Sequence, residues 1–166
     1  MTIGDRISAV SNRFYGRIRH PDAWNPDLDT DAHSFDALRG NRYCLVATFR
    51  RSGERVPTPV WFGLADDGKL YFRSEAKVGK IKRIRNDGRV EIAPCNARGK
   101  PLGPAIAGQA RIAAVADEGY AEAAVQSNYG RGRRMYEGAG ERMGVDAVYV
   151  EVSPRAATAQ PSEGAT

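Results

Sequence analysis

Tyr43-Cys-Leu-Val-Ala-Thr-Phe49 opens the stretch that decides the fold, and Val56-Pro-Thr-Pro-Val-Trp-Phe62 follows it after a short connection. Both runs are apolar and rich in β-branched and aromatic residues, as strands are. The connection Arg50–Glu54 is predicted to be a hairpin loop. Asp67-Gly68 is a strong two-residue turn signal before a third run, Lys69–Arg73. The stretch therefore predicts antiparallel strands joined by hairpins.

Further strands are predicted where apolar residues alternate with polar ones or form continuous runs. They cover Arg89–Pro94, Ile106–Val115 and Asp146–Val152. Pro57, Pro59 and Pro94 lie inside strand-like runs. Because proline cannot donate to a β-ladder, it belongs at sheet edges, strand ends or bulges. A sheet interrupted at these points leaves backbone groups free for a ligand.

The helices are predicted to be few and short. Their predicted positions are Lys77–Asn86, Glu118–Ser127 with Ala116 or Asp117 as its cap, Arg131–Arg142, and an amphipathic N-terminal helix with apolar positions from Ile3 to Ile18. Phe35 and Leu38 are expected to pack onto the strands. The pattern predicts a mainly β protein with short helices, arranged as a small β-barrel. Residues 1–36 are predicted to form an N-terminal helical and extended segment, residues 37–153 the barrel domain, and residues 154–166 a disordered tail.

The composition of the chain says less about its function than the strand pattern says about its fold. The chain has 166 residues and a net charge of +5, which favours an anionic partner without identifying it. No apolar stretch approaches the roughly 20 residues that span a bilayer. Asp5 and Arg6 interrupt the N-terminus, so a secretory signal is not expected and a cytoplasmic location is.

Histidine and cysteine are scarce, which argues against metal catalysis. The histidines are His20 and His33, both in the polar N-terminal segment. Cys44 and Cys95 lack the spacing of a redox pair or a zinc site, and both lie within strand-like runs. We therefore expect no metal site and two buried free thiols.

A phosphate site is predicted at the start of the basic helix, because a helix N-terminus offers unpaired N–H groups and the positive end of the macrodipole. Ser74 can donate a hydroxyl and act near the helix cap. Lys77 and Lys80 are three residues apart and can share one face. The other basic residues of the helix are expected to point into solvent: Lys82, Arg83 and Arg85. Spacing alone leaves a merely solvated basic helix as the alternative.

In this order the motifs resemble the split-barrel flavin and deazaflavin oxidoreductases, the pyridoxamine-phosphate-oxidase-like superfamily. The resemblance is nearest to members that bind coenzyme F420, a deazaflavin. It covers roughly residues 38–115, with a weaker echo over Tyr129–Val152. The matching motifs are Tyr43–Thr48, Pro57–Phe62, Leu70–Phe72, Gly79–Asn86 and Ala93–Pro104.

The resemblance implies a dimer with the cofactor at the subunit interface. Thr58, Pro59, Val60 and Trp61 would line the tricyclic ring, although Trp61 also suits the barrel core. The phosphate would be held by Ser74, Lys77 and Lys80. Ala93–Pro104, which includes Pro94, would contribute from the neighbouring subunit. Arg98 and Lys100 would meet the acidic polyglutamate tail of the deazaflavin, or would simply lie in a solvent-exposed loop.

The resemblance also implies an activity. The expected function is a coenzyme F420-dependent reductase that transfers a hydride to a small organic substrate. FMN-dependent oxidases of the superfamily usually carry Ser-Arg-Lys where this chain has Val78-Gly79-Lys80, which favours the deazaflavin over FMN. The alternatives are an FMN-dependent oxidase or reductase and a non-catalytic cofactor-binding protein. Nucleic acid is not an expected partner, because the basic Lys77–Arg89 stretch lacks interleaved aromatic residues that stack on bases.

Overall fold

The fold is a single curved β-sheet with two short α-helices, seen in a computed structural model that describes residues 19–129 and 146–155. All but one of its strand pairings are antiparallel, and each helix packs against a different group of strands. The strands are β1 (Leu28–Asp29), β2 (Tyr43–Phe49), β3 (Arg55–Val60), β4 (Gly63–Leu64), β5 (Leu70–Glu75), β6 (Arg89–Cys95), β7 (Ala105–Ile112) and β8 (Ala147–Pro154). The helices are α1 (Gly79–Asn86) and α2 (Glu118–Ser127), with 3-10 turns at Pro21–Trp24, Asp36–Leu38 and Val115–Asp117.

The strand order makes the sheet a half-barrel with β3 at one edge. Neighbouring strands run β3-β2-β6-β7-β8-β5-β4, all antiparallel, while β1 pairs in parallel with β7. On edge strand β3, Pro57 lies opposite Ala47 and Pro59 lies opposite Leu45. Pro57 and Pro59 are therefore on an edge strand, where they limit further strand addition. Pro94 lies in the interior strand β6, one residue before its end, which fits the predicted strand-end position.

The core lies between the concave face of the sheet and α1. Ile81 and Ile84 of α1 are buried in one apolar cluster with Val46 of β2 and Ile106 of β7, the two strands that α1 contacts. Other large side chains that are fully buried include Phe35, Phe62, Phe72, Leu38, Leu70, Val90 and Val150. Phe35 and Leu38 thus pack onto the sheet as predicted. The thiols of Cys44 and Cys95 are buried and unpaired, as predicted, and burial raises the pKa of both.

Helix α2 packs on the other half of the sheet, against β4, β5 and β8. Its Ala121, Ala124 and Val125 form a small apolar cluster with Ala65 and Tyr71. Beneath the same helix Glu151 is buried and accepts hydrogen bonds from the Arg111 guanidinium at 2.9 and 2.8 Å and from the Tyr71 hydroxyl at 3.2 Å. A buried carboxylate is tolerated there because it is fully paired.

The local predictions are largely confirmed, with differences at element ends. Strand β2 and helix α2 have the predicted bounds, and Asp67-Gly68 forms the predicted turn between β4 and β5. Asp117 is the N-cap of α2 but its side chain makes no capping hydrogen bond. The strand predicted for Ile106–Val115 ends at Ile112, because a 3-10 turn begins at Val115.

Other boundaries differ by one or two residues. The helix predicted from Lys77 begins at Gly79. The second strand-like run, which was predicted to continue to Phe62, leaves β3 after Val60 and turns into β4. The predicted helices over 3–18 and 131–142 and most of the predicted tail lie outside the described residues, although Pro154 itself belongs to β8. Within the described residues, no helix has the length and apolarity needed to cross a bilayer.

Gly63 sets the distance between the sheet and α2, and this closeness is testable. A Cβ at Gly63 would lie 1.9 Å from the Ala124 carbonyl oxygen. Gly63→Ala should therefore push α2 off the sheet and lower the free energy of unfolding by about 1–3 kcal/mol, the usual cost of overpacking. Urea denaturation measures it. The matched control is Gly119→Ala on α2, where an added Cβ meets nothing within 4 Å; equal effects of the two variants would contradict this packing.

Candidate anion and cofactor site

Helix α1 carries cations on both flanks of its apolar stripe, and only one flank is buried. Ile81 and Ile84 enter the core, so the residue before each lies on one flank and the residue after each on the other. Lys80 and Arg83, on the first flank, are partly buried, whereas Lys82 and Arg85 are exposed. The prediction that Arg83 points into solvent is wrong, since the packing of the two isoleucines turns it towards β2.

Lys80 lies in a desolvated, positively charged environment above Cys44. Burial, opposed by Glu75 and reinforced by the charges of Arg19 and Arg83, lowers the pKa of its ammonium to about 8. The Lys80 charge in turn acts to lower the pKa of the Cys44 thiol, although burial raises it overall. An anion placed here would stabilise the charged form of Lys80.

Arg83 is held in place by the buried hydroxyl of Thr48. Its Nε donates to Thr48 Oγ1 at 2.7 Å, and that hydroxyl donates to the Val56 carbonyl at 3.3 Å. Burial lowers the pKa of the Arg83 guanidinium, and the charges of Arg50 and Arg19 lower it further. Since Nε is taken by Thr48, the outer edge of the guanidinium remains for a ligand.

Gly79 makes room for the Arg83 guanidinium at the start of α1. A Cβ at Gly79 would lie 2.9 Å from Arg83 Nη1. The superfamily pattern has an arginine where this chain has Gly79, so the departure noted in the sequence removes one guanidinium. The structure shows that Arg83 brings another to the same end of the helix.

The register of β2 and β3 places Thr58 on the sheet face that carries this cation pair. Residues opposite each other in an antiparallel pair share a face. Thr58 pairs with Val46, between the Thr48–Val56 pair beneath Arg83 and the Cys44–Val60 pair beside Lys80. Pro94 pairs with Cys44 from the other side and shares the same face. Thr58, Val60 and Pro94 thus lie on the sheet face against which Lys80 and Arg83 pack, while Pro59 points to the opposite face with Leu45.

Trp61 lies at the end of β3, beside Tyr129. Their ring centroids are 5.3 Å apart at an interplanar angle of 31°. The Tyr129 hydroxyl accepts from the Phe62 N–H at 2.8 Å and donates to the Arg42 carbonyl. Burial raises the pKa of Tyr129 to about 12. Tyr129 therefore stays neutral, and its ring contact and hydrogen bonds hold Trp61 in place.

Ser74 and Lys77 do not take the positions predicted for them. Ser74 lies within β5, is buried, and donates to the Glu75 carbonyl at 3.4 Å. The N-cap of α1 is Val78, without a side-chain capping bond, so the prediction that Ser74 acts near the cap is wrong. Lys77 precedes the helix and is exposed, so helical spacing does not align it with Lys80.

Arg98 and Lys100 lie on an ordered turn next to the N-terminal segment. The Asn96 side-chain oxygen accepts from the backbone N–H groups of Arg98 at 2.9 Å and Lys100 at 3.0 Å. Gly99 has φ +80°, which suits glycine. The Arg98 carbonyl accepts from the His20 N–H at 2.9 Å. Both side chains are exposed, so the turn presents cations on a fixed backbone.

A separate pocket of about 170 Å³ lies between the Asp36–Leu38 turn and the end of α2. Its lining is Leu38, Arg39, Gly40, Phe62, Leu64, Ser127 and Asn128. None of the site residues predicted from the sequence lines it. Pockets for cofactor-sized ligands measure roughly 300–1,000 Å³, so the cation cluster is the stronger candidate site.

Comparison with known proteins agrees with this architecture. The family model described as pyridoxamine 5'-phosphate oxidase matches residues 30–160. This chain belongs to the pyridoxamine 5'-phosphate oxidase family. No curated protein matches it in sequence.

Solved structures of the same fold are similar to the chain at low identity. A conserved hypothetical protein from Mycobacterium tuberculosis is 20% identical with a TM-score of 0.52, covering 72% of this chain and 77% of its own. A proposed 5-nitroimidazole antibiotic resistance protein from Bacteroides thetaiotaomicron is 17% identical with a TM-score of 0.54, covering 71% and 75%. The haem storage protein of Vibrio cholerae is 11% identical with a TM-score of 0.55, covering 72% and 86%. These likenesses establish the split-barrel fold that this family member shares.

Sequence reasoning missed two members of the site in this family member: Thr48 and Arg83. The signal for Arg83 was available, because it lies three residues after Lys80 on the same flank of the apolar stripe. Thr48 alternates with Cys44 and Val46 along β2, which places it on the same face.

The lowered pKa of Lys80 predicts a pH dependence of stability. In the folded protein its pKa is about 8, against an ordinary value of 10.5 in the unfolded chain. Between these values the unfolded state binds more protons than the folded state, so the free energy of unfolding should rise with pH across this window. Urea unfolding at several pH values in the window measures the rise. Lys80→Gln should remove it and Lys82→Gln should retain it; the same slope in Lys80→Gln as in the parent protein would contradict a desolvated Lys80.

Proposed function

We propose that this protein is a split-barrel oxidoreductase that binds coenzyme F420 and reduces a small organic substrate with the reduced cofactor. The observation that carries the proposal is the desolvated pair Lys80 and Arg83, packed on the sheet face that edge strand β3 shares through Thr58. The two cations share a flank of α1 at its N-terminal end, where the macrodipole also favours an anion. A phosphate there would leave a planar ring free to extend along β3 towards Trp61.

The chain's own groups fit a phosphate-bearing cofactor. Lys80 supplies a compact charge, and Arg83, fixed by Thr48, supplies planar donors that suit a phosphate oxygen pair. Both are costly to keep buried without an anion, so a phosphate would offset an existing desolvation penalty. Thr58 and Val60 would contact the ring, and Trp61, held in place by Tyr129, would lie against one end of it. When bound, the deazaflavin supplies the hydride.

No side chain of the described site is assigned as proton donor. Tyr129 is the tyrosine nearest to the proposed ring, but its hydroxyl hydrogen is committed to the Arg42 carbonyl and its pKa is raised to about 12. Cys44 is buried with a raised pKa. Any proton that the reaction needs would come from solvent or from the substrate side of the pocket.

The preference for coenzyme F420 over FMN depends on the 96–100 turn, whose cations would bind the polyglutamate tail. Arg98 and Lys100 are exposed on a fixed backbone, as an acidic polyglutamate tail would require. FMN has no such tail and would use only the phosphate cluster. Since Arg83 brings a guanidinium to Gly79, an FMN-dependent oxidase or reductase on the same site is the second candidate. A cofactor-binding protein without turnover would use the same residues.

Direct titration tests the proposal. Coenzyme F420 and FMN are added separately to the purified protein and binding is followed by fluorescence, with hemin as a third ligand because one structural relative stores haem. Micromolar binding of coenzyme F420 in preference to FMN is expected. Binding of FMN alone would replace the deazaflavin proposal with the second candidate, and binding of neither would refute both.

Lys80→Ala should weaken cofactor binding by roughly 1.5–3 kcal/mol, the scale of a hydrogen bond to a charged group. Lys82→Ala is the matched control, because it removes an exposed lysine from the same helix. An affinity unchanged in Lys80→Ala would show that the phosphate lies elsewhere.

We also propose that the protein is a homodimer in which the Ala93–Pro104 segment reaches the partner's cofactor. An apolar surface around this segment supports the proposal. Trp24, Leu28 and Leu102 are 37%, 38% and 59% exposed. Trp24 follows the buried Ala23, Leu28 pairs with the buried Ala105, and Leu102 lies within the segment itself. Large exposed apolar side chains that lie together are typical of an interaction surface.

Light scattering at micromolar concentration tests the dimer. A dimer is expected for the wild-type chain, and Leu102→Asp should shift it towards monomer because a carboxylate would be desolvated at the interface. Val115→Asp is the control, since Val115 is 83% exposed next to α2 on the other half of the sheet. A wild-type monomer at this concentration would exclude a shared cofactor site.

A further inference from the structure

Arg19 lies against the 96–100 turn, on the sheet face opposite to α1. A Cβ at Gly99 would lie 3.7 Å from Arg19 Cγ and 3.3 Å from Leu45 Cδ1, so the glycine leaves room for the arginine stem. Leu45 belongs to the apolar cluster on the face of β2 that α1 does not cover. The side chain of Arg19 is therefore packed on this turn and on this face.

The guanidinium of Arg19 is held over the ring of Trp24. Its central carbon lies 5.7 Å from the centroid of the indole, within the range of a cation–π contact. The Trp24 carbonyl accepts from Arg55 Nη1 at 3.3 Å, which ties this part of the chain to β3. The backbone N–H of His20 donates to the Arg98 carbonyl at 2.9 Å. The position of Arg19 is thus set by packing and by backbone contacts.

Arg19 has no counter-charge among the residues that the structure describes. Its Nε is buried and makes no hydrogen bond in this part of the chain. Burial lowers the pKa of its guanidinium, and no carboxylate opposes the shift. Asp22, the acidic residue nearest in sequence on its C-terminal side, is exposed and lies 3.5 Å from His20 Nδ1. A partly buried guanidinium without a counter-charge is costly, and such groups usually pair or bind an anion.

Two more cations lie on the same turn. Arg98 and Lys100 are the neighbours of Gly99 in sequence, and both side chains are exposed. Their backbone N–H groups donate to Asn96 Oδ1, which fixes the turn. The sequence has no aspartate or glutamate in residues 92–116, so this part of the chain supplies no acid of its own. Cations grouped in this way attract an anion that carries more than one charge.

We propose that Arg19, Arg98 and Lys100 form a binding site for a flexible chain of carboxylates. Arg19 is the main contact, because its charge is the least screened of the three and its planar donors suit a carboxylate. Arg98 and Lys100 add exposed charges that each contribute less. Naming the occupant as the glutamate tail of coenzyme F420 rests on the proposed function, whereas the site itself would take any flexible polycarboxylate. In the proposed dimer, the tail comes from the cofactor of the partner subunit.

Coenzyme F420 and the same deazaflavin without glutamates test the site. The wild type should bind the tailed cofactor about 10-fold or more tightly than the tailless one, and Arg19→Gln should remove most of this tail preference. Arg19→Gln should leave the affinity for the tailless cofactor unchanged, whereas Lys80→Ala should weaken both. Arg85→Gln, which removes an exposed arginine of α1, should behave as the wild type. An equal tail preference in Arg19→Gln and the wild type would overturn the inference.

Further variants and thermal unfolding separate binding from packing. Arg19→Lys keeps the charge but not the planar donors, so it should recover part of the tail preference. If Arg19 serves only to pack on Trp24, Arg19→Gln should lower the melting temperature of the ligand-free protein and keep the tail preference. The double variant Arg98→Gln and Lys100→Gln changes only exposed side chains and should reduce the preference. An unchanged preference in the double variant would also overturn the three-cation site.

A γ-linked triglutamate distinguishes this inference from the proposed function. It should raise the melting temperature of the wild type, and Arg19→Gln should lose most of this gain. The same result in a protein that binds neither coenzyme F420 nor FMN would support the site and refute the proposed function. Binding of coenzyme F420 with no effect of the tail or of triglutamate would refute the site and leave the proposed function standing. No gain for the wild type, with no cofactor bound, would refute both.

Discussion

The packing of Ile81 and Ile84 against strand β2 is the constraint on which the candidate site depends. A short helix that buries two isoleucines cannot rotate about its axis without exposing one of them. The residues immediately before them are therefore pressed against the sheet, and here those residues are Lys80 and Arg83. The core thus holds the cations in a desolvated place, where their charges are least screened and an anion gains most.

The edge position of β3 is the second condition. In a central strand, neighbours on both sides would take up the backbone N–H and C=O groups, and none would be left to meet a ligand. Pro57 and Pro59 keep β3 at an edge, because neither can donate to a further strand. The same prolines remove the risk of edge-to-edge association along β3, while the apolar group of Trp24, Leu28 and Leu102 lies elsewhere and is available for a specific interface.

The local structure could be predicted where a short stretch of sequence settles it. The alternation in β2, the Asp67-Gly68 turn and the bounds of α2 all depend on neighbours within a few residues. Element ends were less predictable: Val78 caps α1 without a side-chain bond, so the sequence offered no polar signal for its start. The position of Ser74 was predicted wrongly for the same reason. A serine shortly before a helix looks the same in sequence whether it caps the helix or belongs to the preceding strand, as Ser74 does.

The sequence by itself determined the class of fold, the family, and a basic helix with Lys80 in it, because hydrophobic period, turn residues and ordered motifs are written locally. Only the tertiary structure decided which cations converge. Thr48 and Arg83 are 35 positions apart. Their contact depends on how α1 packs on β2 and on which flank of α1 the core buries. The charges of the Tyr43–Pro104 stretch were visible in the sequence, but their desolvation is a property of packing, and desolvation makes them a site.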